Sequence, residues 1–196
     1  MVALIGLTMS NRYNLLCQTS NIPSVSNSGS AFIQINGKSN LNQFYFAYYS
    51  NHPMEIKDSY YSKDSGAIEI RIPVRDFKAS NPLMYNDFIK VLKARDFPYI
   101  KISLSGYQMV WRNTGSDTPR LQIAITIAGK TSVYQVTCSI NHYPDKLMID
   151  GSKKIRFTDF NLAPPERLNG LIKVQDEIMI NFGLIVNFIQ QKPSLT

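Results

Sequence analysis

Leu121-Gln122-Ile123-Ala124-Ile125-Thr126-Ile127-Ala128-Gly129-Lys130-Thr131-Ser132-Val133-Tyr134-Gln135-Val136-Thr137-Cys138 is the stretch that decides the fold. Leu121, Ile123, Ile125 and Ile127 alternate with Gln122, Ala124, Thr126 and Ala128. Successive strand side chains point to opposite faces, so this period of two makes one apolar face and one wetter face. Gly129-Lys130 then separates two alternating runs and suits a two-residue II′ turn, where glycine supplies a positive φ. The stretch reads as an antiparallel hairpin.

The same period recurs on both sides of it. Ile68, Ile70, Ile72 and Val74 alternate with Glu69, Arg71 and Pro73; Ile100, Ile102 and Leu104 with Lys101 and Ser103; and Ile178, Ile180, Phe182 and Leu184 follow the rule near the end. Asp150-Gly151, between Leu147-Met148-Ile149 and Ile155-Arg156-Phe157, reads as a second hairpin turn. Short alternating runs joined by such turns predict an all-β protein, an antiparallel barrel or sandwich.

One segment departs from the period. Asn81 is a helix cap with Pro82 at the first helical position, where a missing N–H costs nothing. Met84, Phe88 and Val91 fall at i, i+4 and i+7 with Leu92 beside them, and Asp87, Lys90 and Lys93 take the outer side. Pro98 ends the helix before Phe97. A single short helix across one end of the sheet is expected.

At 196 residues the chain is one domain, long enough to bury roughly 70% of its unfolded surface. Residues 17–30, rich in Ser, Asn and Thr, read as a tether behind an N-terminal segment, the ordered domain as 31–189, and 190–196 as a tail. Hydrophobic residues at 44% argue against wholesale disorder, and charged residues at 18% exclude a coiled coil. The opening Val2-Ala3-Leu4-Ile5-Gly6-Leu7 is apolar but short and has no preceding base, so it reads at most as the remnant of an export signal. Cys17 follows Leu15-Leu16 rather than the small residue a lipoprotein site wants. Cys17 and Cys138 allow at most one bridge and are expected as two separate buried thiols.

Catalytic and metal motifs do not assemble. Gly37-Lys38-Ser39 imitates the end of a phosphate-binding loop, but position 32 is Phe where that loop needs glycine. His52 and His142 each lie in a turn-like context without the closely spaced partners of a zinc site, and no G-x-S-x-G elbow frames a serine. Neither a catalytic residue nor a metal ligand is expected, and the protein is not expected to be an enzyme.

The formal net charge of +7 raises nucleic acid as a partner. Seven bases lie between Arg71 and Lys101 against three Asp, and Lys153, Lys154 and Arg156 form a second group. A single-strand binder interleaves bases with outward aromatics. Here Tyr45, Phe46, Tyr48 and Tyr49 have no base between Gln43 and Ser50, so core aromatics beside a solvated basic face are expected instead. The same face suits an anionic membrane surface. A barrel of about eight strands has an interior that side chains fill or that holds one small ligand, and periodicity does not separate the two.

Four stretches resemble the YceI-like family of lipocalin-like polyisoprenoid-binding proteins. They are Asn36-Gly37-Lys38-Ser39-Asn40-Leu41-Asn42-Gln43-Phe44; Ile72-Pro73-Val74-Arg75-Asp76-Phe77 with Met84, Asp87-Phe88, Leu92 and Phe97-Pro98-Tyr99-Ile100; Leu121 to Cys138; and Phe157-Thr158-Asp159-Phe160 with Pro164-Pro165 and Gly170-Leu171-Ile172-Lys173-Val174. The last is similar to the closing segment of exported members from Bacteroidetes-type bacteria. The resemblance spans roughly residues 32 to 188. It implies a lipocalin-like antiparallel barrel of about eight strands capped by a helix, export to the periplasm, and a polyisoprenoid or isoprenoid quinone chain in the lumen in place of any cofactor.

On that reading the lumen candidates are Ile100, Ile102, Leu104, Leu121, Ile123, Ile125, Ile127, Ile178, Ile180 and Phe182, with Met84 and Phe88 closing one end. The other expectation is a packed barrel that binds no lipid and serves as an interaction or stress-associated module. A homodimer is compatible with either. A register slip of one residue would exchange the lining for its neighbours.

Overall fold

The computed structural model describes residues 25–50, 54–59, 67–105 and 120–188. Twelve strands and one α-helix follow in chain order: β1 (Val25–Lys38), β2 (Gln43–Tyr49), β3 (Met54–Ser59), β4 (Ala67–Pro73), β5 (Lys78–Ala79), α1 (Pro82–Val91), β6 (Tyr99–Ser105), β7 (Arg120–Ile127), β8 (Lys130–His142), β9 (Lys146–Arg156), β10 (Glu166–Arg167), β11 (Ile172–Lys173) and β12 (Glu177–Phe188). One ten-stranded antiparallel sheet runs β12-β9-β8-β7-β6-β4-β3-β1-β2-β5 and closes on itself because β12 also pairs with β1. The closed ring, β12-β9-β8-β7-β6-β4-β3-β1, has eight strands: it is the barrel of the two forms that the alternation predicts, and the lipocalin-like one that the resemblance implies. Closure through β1 covers the edges of the ring strands, and the sheet ends at β2 and the two-residue β5 outside it.

Register carries the apolar face inward all the way round. Ile33 faces Phe182, Ile35 faces Ile180, Leu184 faces Ile149 and Val186 faces Leu147. On the opposite wall Ile72 pairs with Ile100, Ile102 with Ile125 and Leu104 with Ile123. Ile68, Ile72, Leu147, Ile149 and Val186 are wholly buried. Each such side chain contributes roughly 1.5–3 kcal/mol by leaving water. Apart from the phenol of Tyr48 and the thiol of Cys138, no described residue with a polar or charged side chain is buried.

Three local expectations need correction. Of the tether read over 17–30, residues 17–24 lie outside the described residues and 25–30 are strand, because β1 starts at Val25 and Gly29 already pairs with Val186. Ser, Asn and Gly are poor strand formers, but ladder hydrogen bonds to β12 supply the order that their side chains do not. A register shift between Val25 and Gly29 marks the irregular entry. Secondly, the β7–β8 turn is Ala128-Gly129, not Gly129-Lys130, since Ile127 pairs with Lys130. Positive φ at both residues, 49° and 80°, makes it a I′ turn.

Thirdly, Asp150-Gly151 is no hairpin. β9 runs straight through it, and the real turn joins His142 to Leu147, with Tyr143 N–H donating to Lys146 O at 2.9 Å. Gly151 lacks a side chain for a packing reason: a Cβ there would stand 2.6 Å from Phe182 Cζ. The glycine leaves room for a cross-strand ring.

Helix α1 forms as read. Asn81 Oδ1 accepts from Leu83 N–H at 3.0 Å, Pro82 opens the first turn, and Leu92 caps the end. Phe88 seats the helix on the barrel end by stacking on Phe46, ring centroids 4.1 Å apart, with Phe77 at 5.4 Å. Phe46 and Tyr48 join the core, whereas Tyr45 and Tyr49 point outward.

Among the described strands the wall is thinly paired at β1–β3, which share two residue pairs, and at β8–β9. β8 pairs with β9 only from Cys138 to His142. Below that point the edge of β8 is closed by side chains: Ser132 Oγ donates to Asp159 O and Tyr134 Oη to Asp159 Oδ2, each at 2.7 Å, and Lys153 Nζ donates to Gln135 O at 3.0 Å. Asp159 belongs to the 3₁₀ turn Phe157–Phe160, which plugs this corner.

Candidate functional site

Two cavities lie along the barrel axis. The larger, of about 210 Å³, sits under α1 at the capped end. Its floor is barrel wall (Ile35, Phe44, Phe46, Ile127, Ile155, Ile178, Ile180), its roof is the helix (Leu83, Met84, Phe88, Val91), and its side is the segment Phe157 to Val174. The smaller, of about 60 Å³, lies deeper between β1, β4, β6, β7 and β12. Ile127 and Ile180 line both, so these two side chains form the partition between them.

The structure distributes the twelve lumen candidates over these spaces. Met84, Phe88 and Ile178 line the end cavity. Ile100, Ile102, Leu104, Ile123, Ile125 and Phe182 line the inner one, with Ile127 and Ile180 on the partition. Leu121 lines neither and is packed solid, 1% exposed. The inward face is therefore the one the alternation marked, without a register slip.

Sequence reasoning missed much of the end cavity. Leu41, Phe157, Phe160, Leu162, Ile172 and Val174 come from turns and short segments that carry no period of two, and Phe44 from the start of β2. Their one signal was the resemblance, whose first and last stretches contain Leu41, Phe44, Phe157, Phe160, Ile172 and Val174. On the inner side, Ile70, Ile72 and Val136 belonged to recognised runs and line the cavity too.

Polar groups stay at the rim. Ser39 Oγ donates to Asn42 Oδ1 at 2.9 Å, Asn81 is spent on the helix cap, and Arg167 is ion-paired with Asp87, which raises the guanidinium pKa. Lys153 points inward from β9, but its stem alone meets the inner cavity while its ammonium reaches Gln135 O and lies 5.7 Å over the Tyr134 ring. Desolvation, and then the bonded Asp159 carboxylate, push the Tyr134 phenol above its ordinary value. Burial, with Asp150 second, pushes the Cys138 thiol up to about 11. Both groups, protonated at neutral pH even at their ordinary values, are moved further from ionisation by being closed into the wall.

The bases counted in the sequence do not form one face. Arg71 and Lys101 pair on the outer wall, Lys90 and Lys93 lie at the helix end, Lys153 faces inward, and Lys154 bridges to Glu177 at 2.8 Å. Among the described residues no three of His, Cys, Asp and Glu stand close enough to hold a metal ion. His52 and Cys17 lie outside the described residues; Cys138 is a buried free thiol. No described helix is long and apolar enough to cross a membrane.

A helix-capped antiparallel barrel with an apolar, partly hollow interior is a lipocalin-like barrel of the kind seen in YceI proteins. Solved structures with this fold include a polyisoprenoid-binding domain from Saccharophagus degradans implicated in plant cell wall breakdown, with a TM-score of 0.64 and 8% identity, covering 84% of this chain and 100% of that one. BcnA of Burkholderia cenocepacia superposes with a TM-score of 0.59 at 18% identity, covering 79% and 95%. The YceI protein of Campylobacter jejuni gives 0.51 at 16%, covering 95% and 100%. No family model matches the sequence, and no curated protein does. At these identities the likeness is one of fold, and at that level it agrees with the YceI-like resemblance of the four stretches.

Proposed function

We propose that the protein is a non-enzymatic carrier of a long apolar chain, a polyisoprenoid or isoprenoid quinone, held in the end cavity and exported with the protein to the periplasm. The observation that carries this reading is the 210 Å³ cavity under α1, apolar on every wall and polar only at its rim. Such a site selects by desolvation. Each buried CH₂ contributes roughly 0.8 kcal/mol, so about ten of them approach or exceed the several kcal/mol lost in association. The fold-sharing domain described as polyisoprenoid-binding supports the same class of ligand.

Volume limits how the chain is held. The end cavity takes only part of a long prenyl chain, and the remainder either threads past Ile127 and Ile180 or leaves through the mouth. Threading requires half-buried, flexible side chains such as Phe182 and Met84 to change rotamer. The 60 Å³ inner cavity favours the second reading in that half of the barrel: there the interior is nearly filled, as in a packed interaction module.

Native mass spectrometry of detergent-free protein incubated with a C20 prenyl alcohol or a short-chain isoprenoid quinone tests the proposal. A one-to-one adduct that organic solvent extracts is expected, weakened tenfold or more in Met84→Trp, whose indole fills the end cavity. A mass that stays clean with both lipids would establish the packed barrel. Unchanged retention in the folded variant would remove the ligand from the end cavity.

A further inference from the structure

The mouth of the end cavity is ringed by leucines that no other described residue covers. Leu41, in the β1–β2 turn, and Leu83, in the first turn of α1, line the cavity yet are 69% and 72% exposed. Leu168 and Leu171, in the β10–β11 turn, are 67% and 73% exposed. Hydrogen bonds hold these three segments edge to edge: Asn40 Nδ2 donates to Leu171 O and Arg167 Nη2 to Leu83 O, both at 2.8 Å. A lone exposed leucine is ordinary, but four converging on the opening of an apolar cavity make a functional patch. Leu168 even adopts φ 51°, a backbone state that a leucine rarely takes.

The charges around this patch identify its partner. The two acids at the rim are neutralised within it, Asp87 by Arg167 and Glu166 by Lys173. Lys90 is exposed on the Leu83 face of the helix and Arg156, also exposed, lines the cavity from β9, so cations outnumber acids, on a chain of net charge +7. A second copy is a poor occupant, because a two-fold contact would set one basic rim against the other. Exposed leucines flanked by surplus bases fit a surface that is apolar beneath and negatively charged above.

We propose that this face docks on an anionic phospholipid bilayer, the four leucines entering the interface so that the cavity mouth opens onto acyl chains. Its purpose rests on the carrier reading, since a water-insoluble chain passes between bilayer and cavity without crossing water. Its test does not. The full-length protein is sedimented with vesicles of phosphatidylglycerol and phosphatidylcholine, and with phosphatidylcholine alone, beside L168E/L171E, whose leucines lie outside the cavity lining.

At least tenfold stronger binding to the anionic vesicles is expected, falling with added salt, and at least tenfold weaker binding by the variant. The variant, supplied with the C20 prenyl alcohol from ethanol, loads as wild type does. Absence of vesicle binding, or equal binding by the variant, overturns the proposal. So does a concentration-dependent dimer in sedimentation velocity that L168E/L171E abolishes, which assigns the face to a second copy. Docking without lipid loading would sink the carrier and keep the docking surface; loading without docking would do the reverse.

Discussion

Cys138 shows how burial converts an ordinary side chain into a pH-dependent term in stability. Its thiol, 1% exposed and near Asp150, ionises at about 11 in the fold against 9.0 in the unfolded chain. Below pH 9 both states are protonated and the shift has no effect. Between 9 and 11 the unfolded state loses its proton first, so native stability falls as pH rises. Urea unfolding at pH 7.5 and 10.5 measures this. The stability gap between wild type and Cys138→Ala is expected to narrow by about 2 kcal/mol at the higher pH, at 1.36 kcal/mol per pKa unit. A gap that does not change with pH would contradict that origin.

Gly151, opposite Cys138, makes the complementary point about absent atoms. A methyl group there would meet Phe182 Cζ at 2.6 Å and Cys138 Sγ at 3.3 Å. Gly151→Ala is expected to destabilise by about 1–3 kcal/mol through overpacking, despite the better strand propensity of alanine. Adding Phe182→Leu should recover most of the loss in a double-mutant comparison of chemical denaturation. An Asp-Gly pair between apolar runs is a sound local turn signal, and it misled here because the reason for the glycine lies on β12, 31 residues away in sequence.

At the scale of elements, what was legible depended on how local the determining physics is. The β7–β8 hairpin was readable because alternation and a turn glycine are both local, and the error of one residue at the turn came from Ala128 taking a left-handed backbone. Helix α1 was readable down to its cap. Asn81→Ala should therefore cost about 1 kcal/mol, the usual value of an N-cap, seen as a lower thermal midpoint with the barrel otherwise intact. A wild-type midpoint would mean that the Phe46–Phe88 stack, and not the cap, holds the first turn in place. The sequence shows β1 too short because its order comes from β12, and β10 and β11, two residues each, carry no pattern of their own.

At the scale of the whole molecule, a continuous ladder of inward Ile, Leu and Val makes the walls, and the interior narrows from the helix end inward. The end cavity draws on the β1–β2 turn, α1, the 3₁₀ turn at Phe157 and the β10–β11 hairpin, segments tied by bonds such as Asn40 to Leu171, 131 residues apart. No window of sequence contains that neighbourhood. Lys153 illustrates the same limit: its period-two position points it inward, but only the splaying of β8 from β9 lets its ammonium leave the core.

The sequence by itself determined the strand alternation, the single capped helix, the antiparallel class and most of the inward face, because each is set by the steric period of a backbone against one apolar side. Tertiary structure alone decided where the barrel is hollow, which glycine serves a ring instead of a turn, and which leucines meet at an uncovered mouth. Those properties belong to volumes and surfaces between distant segments, and packing, unlike periodicity, is not a local quantity.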